Sequence, residues 1–111
     1  MKDNNMARHP TQVVSLIGMP GSGKSTVGVL LAKRLGLAFV DTDLLIQEQE
    51  QATLAEIIAA KGHKALRVIE EQVLLDMGIG PSVISTGGSV VYSKAIMNRL
   101  SNTSSVVYLR S

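Results

Sequence analysis

The chain has no cysteine, no tryptophan and no long apolar run, and each absence closes off a class of function. Without cysteine there are no disulfides, no thiol nucleophile and no cysteine-based zinc site. The only aromatics are Phe39, Tyr92 and Tyr108, which argues against the stacking platforms of a nucleic-acid binder. Lys and Arg are scattered and the net charge is +2, so no basic stripe offers itself to nucleic acid either. No stretch reaches the length of a bilayer span. The polar segment Met1 to Pro10 lacks the apolar centre of a secretory signal. These exclusions point to a soluble, cytoplasmic protein. Its 111 residues suit a single domain with a real core. Residues 1–11 read as a short flexible tail in which His9 is solvated.

What is present begins with Val13-Val14-Ser15-Leu16-Ile17, a strand-like run that opens into Gly18-Met19-Pro20-Gly21-Ser22-Gly23-Lys24-Ser25-Thr26. This is G-x-x-x-x-G-K-[ST] in its required setting, with an apolar strand before and a helix after. Glycines allow successive backbone N–H groups to turn inward, and the helix that follows presents its positive end. Gly21, Ser22, Gly23, Lys24, Ser25 and Thr26 are therefore the expected nucleotide-binding residues. Lys24 is placed to reach the β- and γ-phosphates and the Ser25 hydroxyl to sit on Mg²⁺. The chain is expected to bind a nucleoside triphosphate.

Beyond the loop, Val27, Leu30, Leu31 and Leu35 recur at helical spacing, and Gly36 supplies a C-cap. Leu37 to Val40 makes a second strand, and a helix is expected over Leu44 to Gln51. Thr53 and Glu56 form a capping-box pattern that opens a helix through Ala60. A longer helix follows, with Leu66, Ile69, Val73 and Met77 on one face, ending at Gly78. Pro81 introduces a third strand, Val83 to Ser85. Ser93 caps a helix over Lys94 to Leu100, and Ser105 to Leu109 reads as a fourth strand. Strands alternating with helices predict a parallel sheet covered on both faces, a three-layer α/β/α sandwich. The sequence stops two residues after the fourth strand, so the fold is expected to be incomplete at the C-terminus with that strand's outer edge bare.

In such sheets ligands gather at the carboxyl ends of the strands. The first strand ends in the phosphate loop, the second in Asp41-Thr42-Asp43 and the third in Thr86-Gly87-Gly88. In an extended segment Asp41 and Asp43 point the same way. One can hold Mg²⁺ while the other accepts a proton from a substrate hydroxyl. Alternatively Asp43 caps the next helix and Asp41 is a solvated strand end; the neighbouring phosphate loop favours the chemical reading. Arg67 and Glu70, three apart on one helix, read from spacing alone as a surface ion pair. The alternative is a guanidinium fork for a substrate carboxylate, oriented by Glu70. His63 and Lys64 read as solvated, and Gly87-Gly88 as a turn or a binding floor.

Together the phosphate loop, Asp41-Thr42-Asp43, Gly62 with Arg67 and Glu70, Thr86-Gly87-Gly88, Asn98-Arg99-Leu100 and Val106-Val107-Tyr108-Leu109 resemble the shikimate kinase family. The resemblance runs from about Val13 to Leu109 and implies a fold of the P-loop nucleoside triphosphate hydrolase kind. It further implies ATP as co-substrate and Mg²⁺ near Ser25 and Asp41, with Lys24 and Asp43 catalytic. Asp43 would hold the ring hydroxyls of shikimate and assist removal of a proton. Arg67 would pair with the shikimate carboxylate, and Gly87 and Gly88 would line the floor. The implied reaction transfers the γ-phosphoryl group to the 3-hydroxyl, a step of aromatic amino-acid biosynthesis. Two departures adjoin the acceptor pocket. Ser89 stands where the family has a third glycine, and Gly62-His63-Lys64-Ala65-Leu66-Arg67 stands for the usual Gly-Glu-x-x-Phe-Arg. The family's lid with its catalytic arginine, its second carboxylate-binding arginine, a further strand and an adenine-contacting loop have no counterpart in this sequence. Two alternatives follow: a kinase of another small hydroxylated metabolite, and a non-catalytic nucleotide-binding remnant. Oligomeric state is left open.

Overall fold

An apolar strand buried on both sides organises the sheet. The computed structural model describes residues 12–19 and 23–110. Strand β1, Val13–Gly18, is buried throughout and pairs in parallel with both β3, Ser82–Gly87, and β4, Ser105–Leu109. Strand β2, Ala38–Asp41, joins the far side of β3, giving the order β2-β3-β1-β4. Side-chain alternation along β1 divides the core. Val14 and Leu16 meet Ala32 and Val83 on one face, while Ile17 meets Leu74, Val90, Ile96 and Leu100 on the other. The first face is covered by α1, Lys24–Leu35, and the second by α5, Lys94–Thr103, with the end of α4, His63–Asp76. A third cluster of Ile46, Ile57, Leu66 and Val73 joins α4 to α2, Thr42–Glu50, and α3, Leu54–Lys61. The three-layer α/β/α architecture matches the expectation.

The local end signals act as their chemistry requires. Thr53 and Glu56 form both arms of the capping box, at 3.1 and 2.8 Å, and Gly36 closes α1 in the left-handed region. Ser93 caps α5 through Ile96 N–H at 3.2 Å. The C-terminal end of α4 is held from outside. The Arg99 guanidinium donates to the carbonyls of Leu74, Leu75 and Met77 at 2.5, 2.7 and 2.7 Å, satisfying oxygens that the helix end leaves free. Among the described residues β4 has no partner strand on its outer side, where Tyr108 is exposed. The N-terminal tail expected at 1–11 lies outside the described residues.

Two expectations change. Helix α2 starts at Thr42 rather than Leu44, so Asp43 belongs to its first turn and not to an extended segment. Periodicity also misassigned the inner face of α1. Val27 and Leu30 are exposed, Leu31 and Leu35 half-buried, and the buried positions are Gly28 and Ala32. Small residues let this helix lie close to the sheet. A Cβ at Gly28 would collide with the Phe39 ring and approach Leu16 Cδ1 to 3.3 Å. Gly28→Val should therefore lower stability by about 3 kcal/mol, the upper end of overpacking, despite the gain in helix propensity. The urea midpoint should fall with an unchanged m value. An unchanged midpoint would mean that Phe39 swings aside at no cost.

Candidate active site

The strand register brings the expected residues to one rim. Gly18 lies opposite Gly87, and Asp41 lies opposite Ser85, two residues before Gly87. The carboxyl ends of β1, β2 and β3 are thus neighbours, the usual ligand position of a parallel sheet. Gly23 precedes α1 with φ +82°, a left-handed conformation that glycine adopts without strain. Lys24 is half-buried, and Ser25 and Thr26 are exposed in the first turn. Pro20, Gly21 and Ser22 lie outside the described residues. Gly88 opens a 3-10 turn, Gly88–Tyr92, that sequence reading had not found. A Cβ at Gly87 would meet nothing within 4 Å, so the floor there is open.

The roles of the two aspartates are the reverse of the simple alternative. Asp41, not Asp43, caps α2: its Oδ1 accepts from Asp43 N–H at 2.9 Å and Leu44 N–H at 3.4 Å. No hydrogen bond to Asp41 Oδ2 occurs among the described residues, so that oxygen is available. Between the two, Thr42 is buried and donates to the Ser85 carbonyl at 3.2 Å, tying the start of α2 to β3. Half-burial raises the Asp43 carboxyl above its ordinary range, Asp41 adds to the rise, and the Lys24 ammonium opposes it. Lys24 and Asp43 therefore feel one another directly. The described residues hold no group of three or more acidic or histidine side chains suited to a metal. A Mg²⁺ carried on phosphate oxygens and water needs only one or two protein oxygens, which Ser25 and Asp41 can provide.

Arg67 and Glu70 form no ion pair with each other, so the surface-pair reading fails, and Glu70 is not the group that orients the guanidinium. The Arg67 guanidinium lies over the Tyr92 ring, 5.4 Å from its centroid. Glu70 Oε1 instead accepts from the Ser89 hydroxyl at 3.1 Å, and Glu71 Oε2 accepts from Ser93 at 2.6 Å. Ser89, noted in the sequence as a departure, and Tyr92, which sequence reasoning missed, both line a pocket with Arg67 and Glu70. Burial raises the Glu70 carboxyl, the Ser89 hydrogen bond lowers it, Asp43 raises it and Arg67 lowers it, with a net rise. A carboxyl raised by folding contributes stability below its unfolded value of 4.5 that is lost as pH climbs through the folded value. Glu70→Gln should therefore raise stability near neutral pH by about a few tenths of a kcal/mol after solvent screening, read as a higher melting temperature. The advantage should vanish in acid below the unfolded value. A gain that persists there would show that charge is not its source.

A parallel sheet with a phosphate-loop sequence after an inner strand and carboxylates at the adjoining strand end defines the class, a P-loop α/β protein. A family model described as shikimate kinase matches residues 20–111, and the chain belongs to that family. It is 41% identical over 107 residues to a shikimate kinase of Paracidovorax citrulli, covering 94% of this chain and 58% of that protein. It is 38% identical over 101 residues to shikimate kinase 2 of Yersinia pseudotuberculosis, covering 91% and 58%. Among solved structures, the Acinetobacter baumannii shikimate kinase in complex with shikimate superposes with a TM-score of 0.86 at 31% identity, over 97% of this chain and 60% of that one. The Aquifex aeolicus shikimate kinase gives 0.79 at 34% identity, over 87% and 58%. The chain thus spans 58% of the length of the curated relatives named here.

Proposed function

We propose that this chain acts as an ATP:shikimate 3-phosphotransferase, a cytoplasmic enzyme of aromatic amino-acid biosynthesis. The observation that carries this reading is the shared rim, where Gly18, Asp41 and Gly87 end neighbouring strands and Lys24 lies within electrostatic reach of Asp43. Gly21, Ser22, Gly23, Lys24, Ser25 and Thr26 would cradle the phosphates of ATP. Arg67 would bind the acceptor carboxylate and Gly87 and Gly88 would form the floor beneath the ring. Asp43 would take the proton from the 3-hydroxyl as that oxygen bonds to the γ-phosphorus. The bond from the γ-phosphorus to the bridging oxygen then breaks, and ADP leaves with the electron pair. When bound, Mg²⁺ neutralises phosphate charge, and Ser25 and Asp41 are the residues that would hold it. Catalysis on this reading is mainly positioning and charge compensation.

The test is ADP release from Mg·ATP by the purified chain, with and without shikimate. Shikimate-stimulated release that Arg67→Ala weakens through the acceptor KM supports the assignment. A kinase of another small hydroxy acid is the second reading, favoured by the Ser89 hydroxyl inside the acceptor pocket. It predicts release with a different polyol or hydroxy acid and none with shikimate. Mg·ATP binding by calorimetry without turnover of any acceptor would leave a nucleotide-binding protein only.

A further inference from the structure

Asp41 and Asp43 stand at an edge of the sheet. Strand β2 has four residues, none of them fully buried, and pairs only with β3 among the described residues. Its ladder stops at Asp41, opposite Ser85, and α2 starts at the next residue. That residue is Thr42, 2% exposed although it lies between two aspartates. A hydroxyl so deeply buried needs a partner. Thr42 Oγ1 donates to the Ser85 carbonyl at 3.2 Å, at the position where the β2–β3 ladder ends. Among the described residues this is the one side-chain hydrogen bond that joins α2 to β3. Branching at Cβ leaves threonine few χ1 choices, so the hydroxyl is aimed by the backbone itself. The bond links two parts of the site. On one side, Asp41 Oδ1 accepts from the Asp43 N–H at 2.9 Å, which ties the Asp41 carboxylate to the backbone of Asp43. On the other, Ser85 leads in two residues to Gly87, opposite Gly18.

We propose that Thr42 is a positioning residue for phosphoryl transfer: its buried hydroxyl pins Asp41 and Asp43 to β3 and so sets where they stand over the Gly87-Gly88 floor. The proposal rests on the reading of Asp43 as the base and of Gly87 and Gly88 as the floor. The cap holds the two aspartates to each other, and Thr42 holds them to the strand that carries the acceptor. Without the hydroxyl the Ser85 carbonyl loses that partner in a buried place, and α2 shifts from β3 to let water reach it. A displacement of about 1 Å at a reacting group costs on the order of 10²-fold in rate.

Two measurements on the full chain test it together. Thr42→Val keeps the shape and removes the hydroxyl, whereas Thr42→Ser keeps the hydroxyl. In turnover assays Thr42→Val should lower kcat about ten- to hundred-fold with the ATP KM unchanged, and Thr42→Ser should restore most of it. Each variant is assayed at a temperature where its melting curve shows it folded, which separates lost positioning from lost fold. Amide hydrogen exchange supplies a readout that needs no substrate. The Asp43 N–H, protected by its bond to Asp41, should lose protection in Thr42→Val and keep it in Thr42→Ser. A kcat that survives Thr42→Val overturns the proposal, as does a kcat that falls equally in both variants or an Asp43 amide indifferent to Thr42→Val. So does a raised ATP KM, which places the damage in the phosphate loop. If the wild-type chain turns over no shikimate, the phosphotransfer reading fails. Asp43 protection in Thr42→Val against Thr42→Ser then decides alone whether Thr42 holds the pair.

Discussion

Asp43→Asn should lower kcat for shikimate phosphorylation by about 10²–10⁴-fold, the range that a positioned general base contributes. Asparagine keeps the shape and the position in the first turn of α2, so the backbone hydrogen bond from residue 43 to Asp41 survives. What disappears is the oxygen that can accept a proton while the acceptor attacks phosphorus. Because Asp43 also repels Asp41 and Glu70, the variant should be no less stable than wild type, and slightly more stable is expected. A large fall in kcat with an unchanged ATP KM and an intact melting curve is the expected result. A variant retaining most of the wild-type kcat would show that no side-chain base is needed at this position.

Lys24→Ala should reduce turnover by at least about 10²–10³-fold, as removal of one preorganised donor to a developing charge does elsewhere. It should also weaken Mg·ATP binding about ten-fold or more, through the loss of charge-assisted hydrogen bonds to phosphate. Calorimetry measures the second effect without any need for an acceptor. Lys24 has a further influence that alanine removes, since its ammonium offsets part of the rise in the Asp43 carboxyl. Nucleotide affinity equal to wild type would mean that Lys24 does not reach the phosphates. In that event the loop would have to hold the nucleotide through its backbone alone.

How much of this was legible in the sequence depended on how local the cause was. The phosphate-loop pattern, the Thr53–Glu56 box, the Gly36 stop and the Ser93 cap each act within a few residues, and each could be read directly. The parallel sheet followed from alternating elements. The buried face of α1 was misread because periodicity finds apolar residues, whereas close approach to Phe39 selects Gly28 and Ala32. Asp41 and Asp43 were identified as a pair, yet their division of labour depended on whether α2 began before or after Asp43. The partners of Arg67 and Glu70 were the least accessible. They come from a 3-10 turn about twenty residues downstream, and only the packing of that turn on α4 determines which hydroxyl meets which carboxylate.

The strand order carries a consequence for how the chain is made. Strand β3 lies between β1 and β2, so neither of the first two strands synthesised has a hydrogen-bonded neighbour until β3 exists. About 70 residues separate the end of β1 from the end of β3. At ordinary translation speeds that interval is roughly 3–14 s, during which the phosphate-loop sequence is already synthesised but the sheet edge that anchors it is absent. Val83 and Ile84, fully buried and arriving late, then complete the sheet between β1 and β2.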